Sequence, residues 1–449
     1  MDATKPLVVI GCTPVYGHLM PIRAMTKLLV QRGYEVTFVS SSHYQKLVEE
    51  VGCNYVAIEG YGDWYEAEFD TRFAERKTLP SGPVQLSYDL EHVFVRSIPT
   101  QHEALQKAIK MNMERYPGRP IIQVSEYVFQ GALPVTKGAG VAPTATMGIG
   151  VVPITLSSCD TAPFGPGLPP DSSPEGRMRN LGMQKQVEEL FFGKPQQVWK
   201  EMFAEVGAEA PDVSLLDASY LIQDRFLQMC PPSAEYPRSD APSNIRFAGG
   251  LPRGSRDPMT DPPSFWKEIT VDKGDNDIVF VCQGTIALNY TDLIIPTMAA
   301  LKDRPNTIVV VVLGIKGNTL PEGTIVPDNV RVADYIPFDE LLPHCSVFIT
   351  NGGYGAFQHS ISNGIPIICG GAGEDKPEVC ARVEWSGMGI NLKTGQPTQE
   401  QIVEAVDEII KNPKYRTRAK EMEAEMALFD PISVVAENID ELAALKASK

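Results

Sequence analysis

One histidine of this 449-residue chain stands where a parallel α/β sheet would present a reactive side chain. His18 lies in Pro14-Val-Tyr-Gly-His-Leu-Met-Pro21, between an apolar strand-like run and a run with helical spacing of apolar residues. Ligands collect at the carboxyl ends of parallel strands, which is the position that His18 would occupy. A neutral imidazole there could take a proton from a hydroxyl group. Because a helix N-terminus lowers the pKa of a nearby imidazole, we expect His18 to be neutral.

A glycine turn in the second half of the chain is suited to holding phosphates. The apolar run at 347–350 leads into Asn351, Gly352 and Gly353, and then into a helix-forming segment. A glycine turn between a strand's carboxyl end and a helix's amino end presents bare backbone N–H groups and a positive dipole end. The sequence therefore predicts a diphosphate site at this turn.

The residues around this turn resemble the nucleotide-sugar signature of the small-molecule UDP-glycosyltransferases. That family typically has Trp-x-Pro-Gln, then His-Cys/Gly-Gly-Trp/Tyr-Asn-Ser-x-x-Glu, then Gly-Val-Pro, and finally Pro-x-x-x-Asp-Gln. At matching intervals this chain has Tyr335-Ile-Pro-Phe338, Asn351-Gly-Gly-Tyr-Gly-Ala356, Gly364-Ile-Pro366 and Asp375-Lys376. The variant Asn-Gly-Gly-Tyr-Gly, with Glu374 before Asp375, is most similar to a microbial, fungal-like branch.

The resemblance implies a set of residues that bind the sugar donor. Tyr335 would stack on the uracil, Gly353 and its neighbours would meet the diphosphate, and Asp375 would accept hydrogen bonds from sugar hydroxyls. A Gly-Thr pair after the first strand of the second domain would also meet the phosphates. The full implied donor-binding set is Gly284, Thr285, Tyr335, Ile336, Asn351, Gly352, Gly353, Tyr354, Gln358, His359, Asp375 and Lys376.

Three of these positions depart from the family pattern. The family's diphosphate-contacting His is Asn351 here, its ribose-binding Glu is His359, and its final Gln is Lys376. Asn351 can still donate to a phosphate, and Lys376 can still bind sugar oxygens. His359 cannot accept two ribose hydroxyls as a carboxylate does, so Gln358 is a candidate substitute.

The resemblance also implies a catalytic pair. The Gly-His-x-x-Pro spacing around His18 matches the family's catalytic histidine, although a lone histidine is more often structural. The family orients this base with an Asp that follows a later strand. In this chain Ile121-Ile-Gln-Val-Ser-Glu126 occupies that place, so Glu126 is the candidate partner. The alternative is that Glu126 is a polar residue at a strand end.

Composition argues against several classes of function. The formal net charge is −16 with no basic block, so we expect no nucleic-acid binding and no adhesion to membranes. The scattered cysteines contain no Cys-x-x-Cys pair, which predicts buried free thiols in a reducing compartment. There is neither a signal-peptide pattern nor an apolar run of membrane-spanning length, and we therefore expect a soluble, cytoplasmic protein.

We predict no metal site. The string Asp275-Asn-Asp277 looks like a diphosphate-metal motif, but it precedes a strand and so belongs to the amino edge of the sheet, away from the ligand edge. Helix N-termini and backbone donors can neutralise a diphosphate without metal. The only co-substrate expected is the UDP-sugar, with UDP-glucose as the default from family frequency.

Strand and helix runs alternate in both halves of the sequence, which predicts right-handed βαβ units and parallel sheets. With the resemblance, this implies an α/β fold of GT-B architecture: two facing Rossmann-like domains with a cleft between them. We place the acceptor-binding domain at 1–240, a proline-rich linker at 241–263, the nucleotide-sugar domain at 264–430 and a terminal helical segment, expected to pack back on the first domain, at 431–449. Aromatic-rich irregular stretches at 60–100 and 150–210 are expected to line the acceptor site or to form local core.

Together these features predict an inverting, metal-independent transfer of a sugar from a UDP-sugar to a hydroxyl of a small apolar or phenolic acceptor, with His18 as the base. The protein is expected to act as a monomer. Two alternatives stay open: a nucleotide-sugar epimerase on the same fold, and a non-catalytic UDP-sugar-binding partner of another enzyme.

Overall fold

Two parallel β-sheets organise the chain. The computed structural model describes residues 5–80, 82–250, 259, 261–284 and 288–447. The first sheet has seven strands in the order β3-β2-β1-β4-β5-β6-β7, and the second has six in the order β10-β9-β8-β11-β12-β13. The strands are β1 Leu7–Gly11, β2 Glu35–Ser41, β3 Asn54–Ile58, β4 Ile121–Glu126, β5 Ala145–Gly150, β6 Arg225–Gln228, β7 Ile245–Phe247, β8 Asp277–Cys282, β9 Thr307–Val312, β10 Val330–Ala333, β11 Val347–Thr350, β12 Ile367–Cys369 and β13 Gly389–Asn391.

Helices connect the strands and cover both sheets. Their bounds are α1 Tyr16–Gln31, α2 Gln45–Glu49, α3 Glu66–Arg72, α4 Pro83–Tyr88, α5 Ile98–Arg115, α6 Pro174–Val187, α7 Gly193–Glu205, α8 Ala218–Leu221, α9 Trp266–Thr270, α10 Ile294–Leu301, α11 Phe338–Leu341, α12 Tyr354–Asn363, α13 Lys376–Ser386, α14 Gln399–Lys411, α15 Pro413–Met426 and α16 Pro431–Ala447. Within the described residues, no helix is both long and apolar enough to cross a bilayer.

The central strands β1, β8, β9 and β11 are mainly apolar because both faces of each sheet are buried there. In β1, Val8 and Ile10 join a core cluster with α1 and α16, whereas Leu7 and Val9 join a cluster with α5 on the opposite face. The second sheet likewise packs separate clusters on its two faces. Two parallel sheets with helices on both faces confirm the predicted α/β fold class with two Rossmann-like units.

Each sheet contains one point where the strand order reverses. In the first sheet β1 pairs with β2 on one side and with β4 on the other, and in the second sheet β8 lies between β9 and β11. The loops after these strands run in opposite directions and leave a crevice at the carboxyl edge, where ligands of open α/β sheets bind.

The C-terminal helix and the segment between the two halves both pack on the first sheet. The terminal helix α16 packs on the first sheet: Arg225 donates to Asn438 at 2.6 Å, and Ile432, Val435 and Ile439 lie in the same core cluster as β1. Strand β7 lies inside the proline-rich segment assigned to a linker, yet it pairs with β6. The first sheet therefore extends past residue 240.

A buried ion network ties α13 of the second half to the first half. Arg382, with only 1% of its side chain exposed, donates to Glu235 at 2.6 Å and to Glu378 at 2.9 Å. Glu378 also accepts the backbone N–H groups of Gly165 and Gly167, at 2.8 and 2.9 Å, from the long insertion of the first half. Burial would raise the pKa of Glu235, but the charge of Arg382 holds it below its usual value.

Candidate active site

His18 and Glu126 meet at the reversal point of the first sheet. His18 lies in the first turn of α1, just after β1, and Glu126 is the last residue of the adjacent strand β4. The Nδ1 atom of His18 is 2.9 Å from Oε1 of Glu126. This pairing directs the imidazole's Nε2 away from the carboxylate. Because the Glu126 side chain is fully buried and that of His18 is 19% exposed, the pair presents only the imidazole to the cleft.

The electrostatics of His18 differ from the sequence-based expectation. Burial lowers the pKa of the imidazole, whereas the charge and hydrogen bond of Glu126 raise it. The charges of Asp375 and Glu66 raise it further, and the net pKa lies above the usual histidine value. The expectation that the helix N-terminus would depress the pKa is therefore wrong. The charges of the three carboxylates outweigh the effect of burial on this imidazole.

The glycine turn after β11 has the form of an anion site. Gly353 is the N-cap of α12, its backbone is extended, and no side chain caps the first turn of that helix. Gly352 has a φ of +82°, and a Cβ there would come within 2.5 Å of the Cys380 sulfur. Position 352 is thus confined to glycine, and backbone N–H groups at the start of α12 remain for a ligand. Asn351 follows β11 directly and heads this turn.

Gly284 faces the same edge from the next strand. It follows β8 with a φ of +81°, and a Cβ at this position would lie 3.8 Å from Oδ1 of Asn351. The two residues therefore flank the β8/β11 reversal point, as ligands of a diphosphate would require. Thr285, the other residue expected in this turn, lies outside the described residues.

Tyr335 and Ile336 follow β10 at the far side of this edge. Tyr335 is 42% exposed, and the Nζ atom of Lys316 lies 5.3 Å from its ring centroid. Ile336 is 1% exposed and belongs to a core cluster, so its side chain anchors this segment in the core. An exposed ring beside a buried anchor is the arrangement that base stacking requires.

Helix α12 points its polar side chains in two directions. The Nδ1 atom of His359 is 2.8 Å from Oδ1 of Asp339, on the side of α11. Tyr354 instead faces the first half, where its hydroxyl accepts from Gln228 at 3.1 Å. Gln358, one turn further, lies beside Gly250, and both polar atoms of its amide are buried without a partner among the described residues. The side chains of Gln358 and His359 therefore lie in different environments, although the two residues are adjacent in the sequence.

The loop after β12 brings Asp375 and Lys376 to the cleft. Asp375 immediately precedes α13, and its charge acts on His18 in the opposite half. Burial raises the pKa of Asp375, and Lys376 and His18 partly offset the effect. Lys376 forms an ion pair with Glu374, which in turn lies 3.5 Å from Arg76 of the first half.

Sequence reasoning missed Asp339, Arg76, Tyr44 and Glu66. The hydroxyl of Tyr44, after β2, donates to a carboxylate oxygen of Glu66, on α3. The charge of Glu66 reaches His18, although no motif marks it. A search for acidic partners of the two motif histidines would have identified Asp339, because it follows the Tyr335 motif closely.

Among the described residues, one cluster of three side chains has the spacing of a metal site, but its carboxylate oxygens accept hydrogen bonds from neighbouring protein groups. The ligand atoms of Cys159, Asp160 and Asp240 lie close together. Asp160 accepts from the backbone of Ser239 at 2.6 Å and from Arg177 at 2.9 Å. In the Asp-x-Asp string, Asp277 begins β8 and accepts from the Ser346 hydroxyl at the amino end of the second sheet.

Comparison with known proteins gives concordant matches. A family model described as Erythromycin biosynthesis protein CIII-like, C-terminal domain, matches residues 298–442. UDP-glucosyltransferase A1 of Starmerella bombicola is 39% identical over 440 residues, covering 98% of this chain and 93% of that protein. UDP-glycosyltransferase 2 of Phaeomoniella chlamydospora is 38% identical over 449 residues, covering 99% and 97%. The 4'-demethylrebeccamycin synthase of Lentzea aerocolonigenes is 30% identical, covering 95% and 96%.

Solved structures share the fold at lower sequence identity. The glycotransferase of kitacinnamycin has a TM-score of 0.70 at 17% identity, covering 98% of this chain and 99% of that one. Glycosyltransferase VinC, solved in complex with dTDP, has a TM-score of 0.66 at 15% identity, covering 97% and 99%. At this identity the likeness establishes the two-domain fold.

Proposed function

Because this chain belongs to the family of UDP-glycosyltransferases, we propose that it transfers a sugar, in the first place glucose, from a UDP-sugar to a hydroxyl of a small apolar or phenolic acceptor. The reaction inverts the anomeric carbon and needs no metal ion. The observation that carries the proposal is the His18–Glu126 pair, at 2.9 Å, at the reversal point of the first sheet. The glycine turn of α12 supports a donor on the second sheet.

His18 acts as the general base. With the Nδ1 proton donated to Glu126, the lone pair of Nε2 takes the proton of the acceptor hydroxyl. The acceptor oxygen then forms a bond to the anomeric carbon while the bond from that carbon to the β-phosphate oxygen breaks. UDP leaves with the bonding electrons. Because attack and departure occur on opposite faces, an α-linked donor gives a β-linked product.

The second half holds the donor. Backbone N–H groups at the α12 N-terminus, with the Asn351 amide beside them, take the diphosphate and stabilise the charge that develops on it. The exposed ring of Tyr335 stacks on the uracil. Asp375 accepts from sugar hydroxyls at the cleft, and its influence on the His18 pKa supports a sugar position between the two residues.

Product analysis tests this function. We expect mass spectrometry to find a glycoside when the purified protein is incubated with UDP-glucose and phenolic acceptors, both with and without EDTA. The anomeric proton coupling of the product should be that of a β-glucoside. His344, which packs against Trp266 in the second half, supplies the control variant His344→Ala. A changed sugar nucleotide without glycoside would instead indicate an epimerase, and loss of product with EDTA would refute the metal-independent mechanism.

A further inference from the structure

A second carboxyl group faces the catalytic pair from the acceptor side. The Glu66 side chain receives the hydroxyl hydrogen bond of Tyr44 on Oε2. Its other oxygen, Oε1, is buried, and no described group donates to it. Val15, three residues before His18, packs against the core cluster that contains Trp64, and Tyr44 shares a core cluster with Leu19. The start of α3 therefore lies beside the N-terminus of α1, and the charge of Glu66 is among those that raise the pKa of His18.

Other unsatisfied polar atoms occur on elements at the same edge. In the described part of the chain, they include the Thr13 hydroxyl after β1, the Trp64 indole N–H before α3 and Oε2 of Glu126 at the end of β4. A buried polar atom without a partner has lost its hydrogen bonds to water and gained none in return. Native structures contain few such atoms, and their occurrence together at the carboxyl edge of one sheet indicates a site that a polar ligand completes.

Resting on the proposed function, we propose that Glu66 is a specificity residue for the acceptor: its Oε1 atom accepts a hydrogen bond from a second hydroxyl of a molecule whose first hydroxyl lies at His18. The preferred acceptors are therefore dihydroxy compounds rather than simple alcohols or monophenols. The base removes one proton, and the other hydroxyl remains protonated as a donor to Glu66.

The fixation of Glu66 supports a positioning role. Tyr44 holds one oxygen of the carboxyl group from a separate element, which orients the other oxygen without satisfying it. A purely structural carboxyl group would be expected to have both oxygens satisfied. The ring of Tyr65, the residue before Glu66, stacks on His43 with centroids 3.6 Å apart, which provides an aromatic surface suited to an aromatic acceptor.

The negative charge of the surroundings restricts the acceptor further. Glu66, Glu126 and Asp375 all act on His18, so an acceptor carrying a carboxylate beside its reacting hydroxyl would meet like charges. A hydroxyl donor has the opposite effect, because a buried carboxyl group gains from each hydrogen bond that it accepts. We therefore expect neutral dihydroxy acceptors to be favoured over hydroxy acids of similar size.

Matched acceptor pairs test the proposal. Catechol, resorcinol and hydroquinone are each compared with their monomethyl ethers, using kcat/KM with UDP-glucose and correcting for the two equivalent hydroxyls. For the isomer whose spacing fits, the wild-type enzyme should prefer the dihydroxy compound by about 10- to 100-fold, since the hydrogen bond is to a carboxylate. Glu66→Ala should reduce this preference to within about threefold of unity. Tyr44→Phe should reduce it partly, because Glu66 is then less firmly held.

A control variant and a test of folding distinguish a specific role of Glu66 from a general effect of the substitution. Glu68→Ala removes a carboxyl group from the same helix, on a different face, and should keep the wild-type preference. The melting temperature and UDP affinity of Glu66→Ala show whether the variant is folded. Glycoside formation with an unchanged preference in a folded Glu66→Ala variant would overturn the inference while leaving the proposed function intact. If the wild-type enzyme binds UDP but glycosylates none of these acceptors or 1,n-alkanediols, the acceptor class proposed here is wrong.

Discussion

Replacing Glu126 by Gln should both lower the rate and move its pH dependence. Gln has nearly the same shape, so the change removes the negative charge 2.9 Å from Nδ1 of His18 with little loss of packing. The His18 pKa is raised above its usual value because carboxylate charges outweigh burial, and Glu126 is the largest of the raising influences. Loss of an adjacent charge of this kind shifts a pKa by about 1–3 units.

The direction of the shift follows from the role of His18 as a base. Only the neutral imidazole can accept a proton, so activity is lost as pH falls through the His18 pKa. In the wild-type enzyme this acidic limb should lie above the usual histidine range, and in Glu126→Gln it should move to lower pH. The rate on the plateau should fall by about 10²- to 10⁴-fold, because the amide can donate to Nδ1 and thereby leave the proton on Nε2.

The assay is kcat/KM for UDP release between about pH 5 and 9, the range in which histidine titrates. Glu126→Asp keeps the charge and should keep most of the acidic-limb position, although its shorter reach lowers the rate. Glu103→Gln, an exposed residue of α5, controls for loss of one charge. An acidic limb that stays in place, with a rate within about threefold of wild type, would refute the assigned roles of both His18 and Glu126.

Three other variants test separate parts of the molecule. His18→Ala should abolish transfer while UDP affinity, measured by calorimetry, stays near wild type; retained turnover would remove His18 from the mechanism. Asp375→Ala should weaken binding of intact UDP-glucose more than binding of UDP, and equal losses would instead assign Asp375 to the nucleotide or the fold. Arg382→Met removes the cation that lies 2.6 Å from the buried Glu235 and leaves Arg238, 3.6 Å away, as its neighbouring cation. The change should destabilise the protein by about 3–5 kcal/mol in urea denaturation, and the double variant Arg382→Met/Glu235→Gln should recover part of that loss.

Sequence analysis correctly predicted the features that depend on short, local segments of the chain. The strand, turn and helix at Asn351 to Gly353 are local, so glycine placement and apolar runs were enough to locate the turn. His18 and Glu126 are 108 positions apart, and their meeting was anticipated from the family resemblance and the topology of parallel strands. The edge strand β7 was missed because its three residues stand among prolines.

The missed features depend on contacts between distant elements. Helix α2, strand β3 and their connecting loops separate Tyr44 from Glu66 in the sequence, and no periodicity predicts such a contact. The direction of the His18 pKa shift was misjudged because the charge of Glu126, the largest raising influence, was not weighed, and because the charges of Asp375 and Glu66 come from distant segments. Motifs therefore indicate which reactive groups are present, but the charges that surround such a group can be identified only from the folded structure.

The ion network on α13 has a consequence for engineering by recombination. The helix that begins after Asp375 also carries Glu378 and Arg382, which bind the Gly165–Gly167 loop and Glu235 in the other half. A chimera can join the acceptor half of one relative to the donor half of another. These buried charged residues would then lose their ion-pair partners unless the partners are transferred with them. Crossovers should therefore carry the loop, Glu235 and the first three turns of α13 as one inherited block, with acceptor diversity sought in the segment that contains Tyr44 and Glu66.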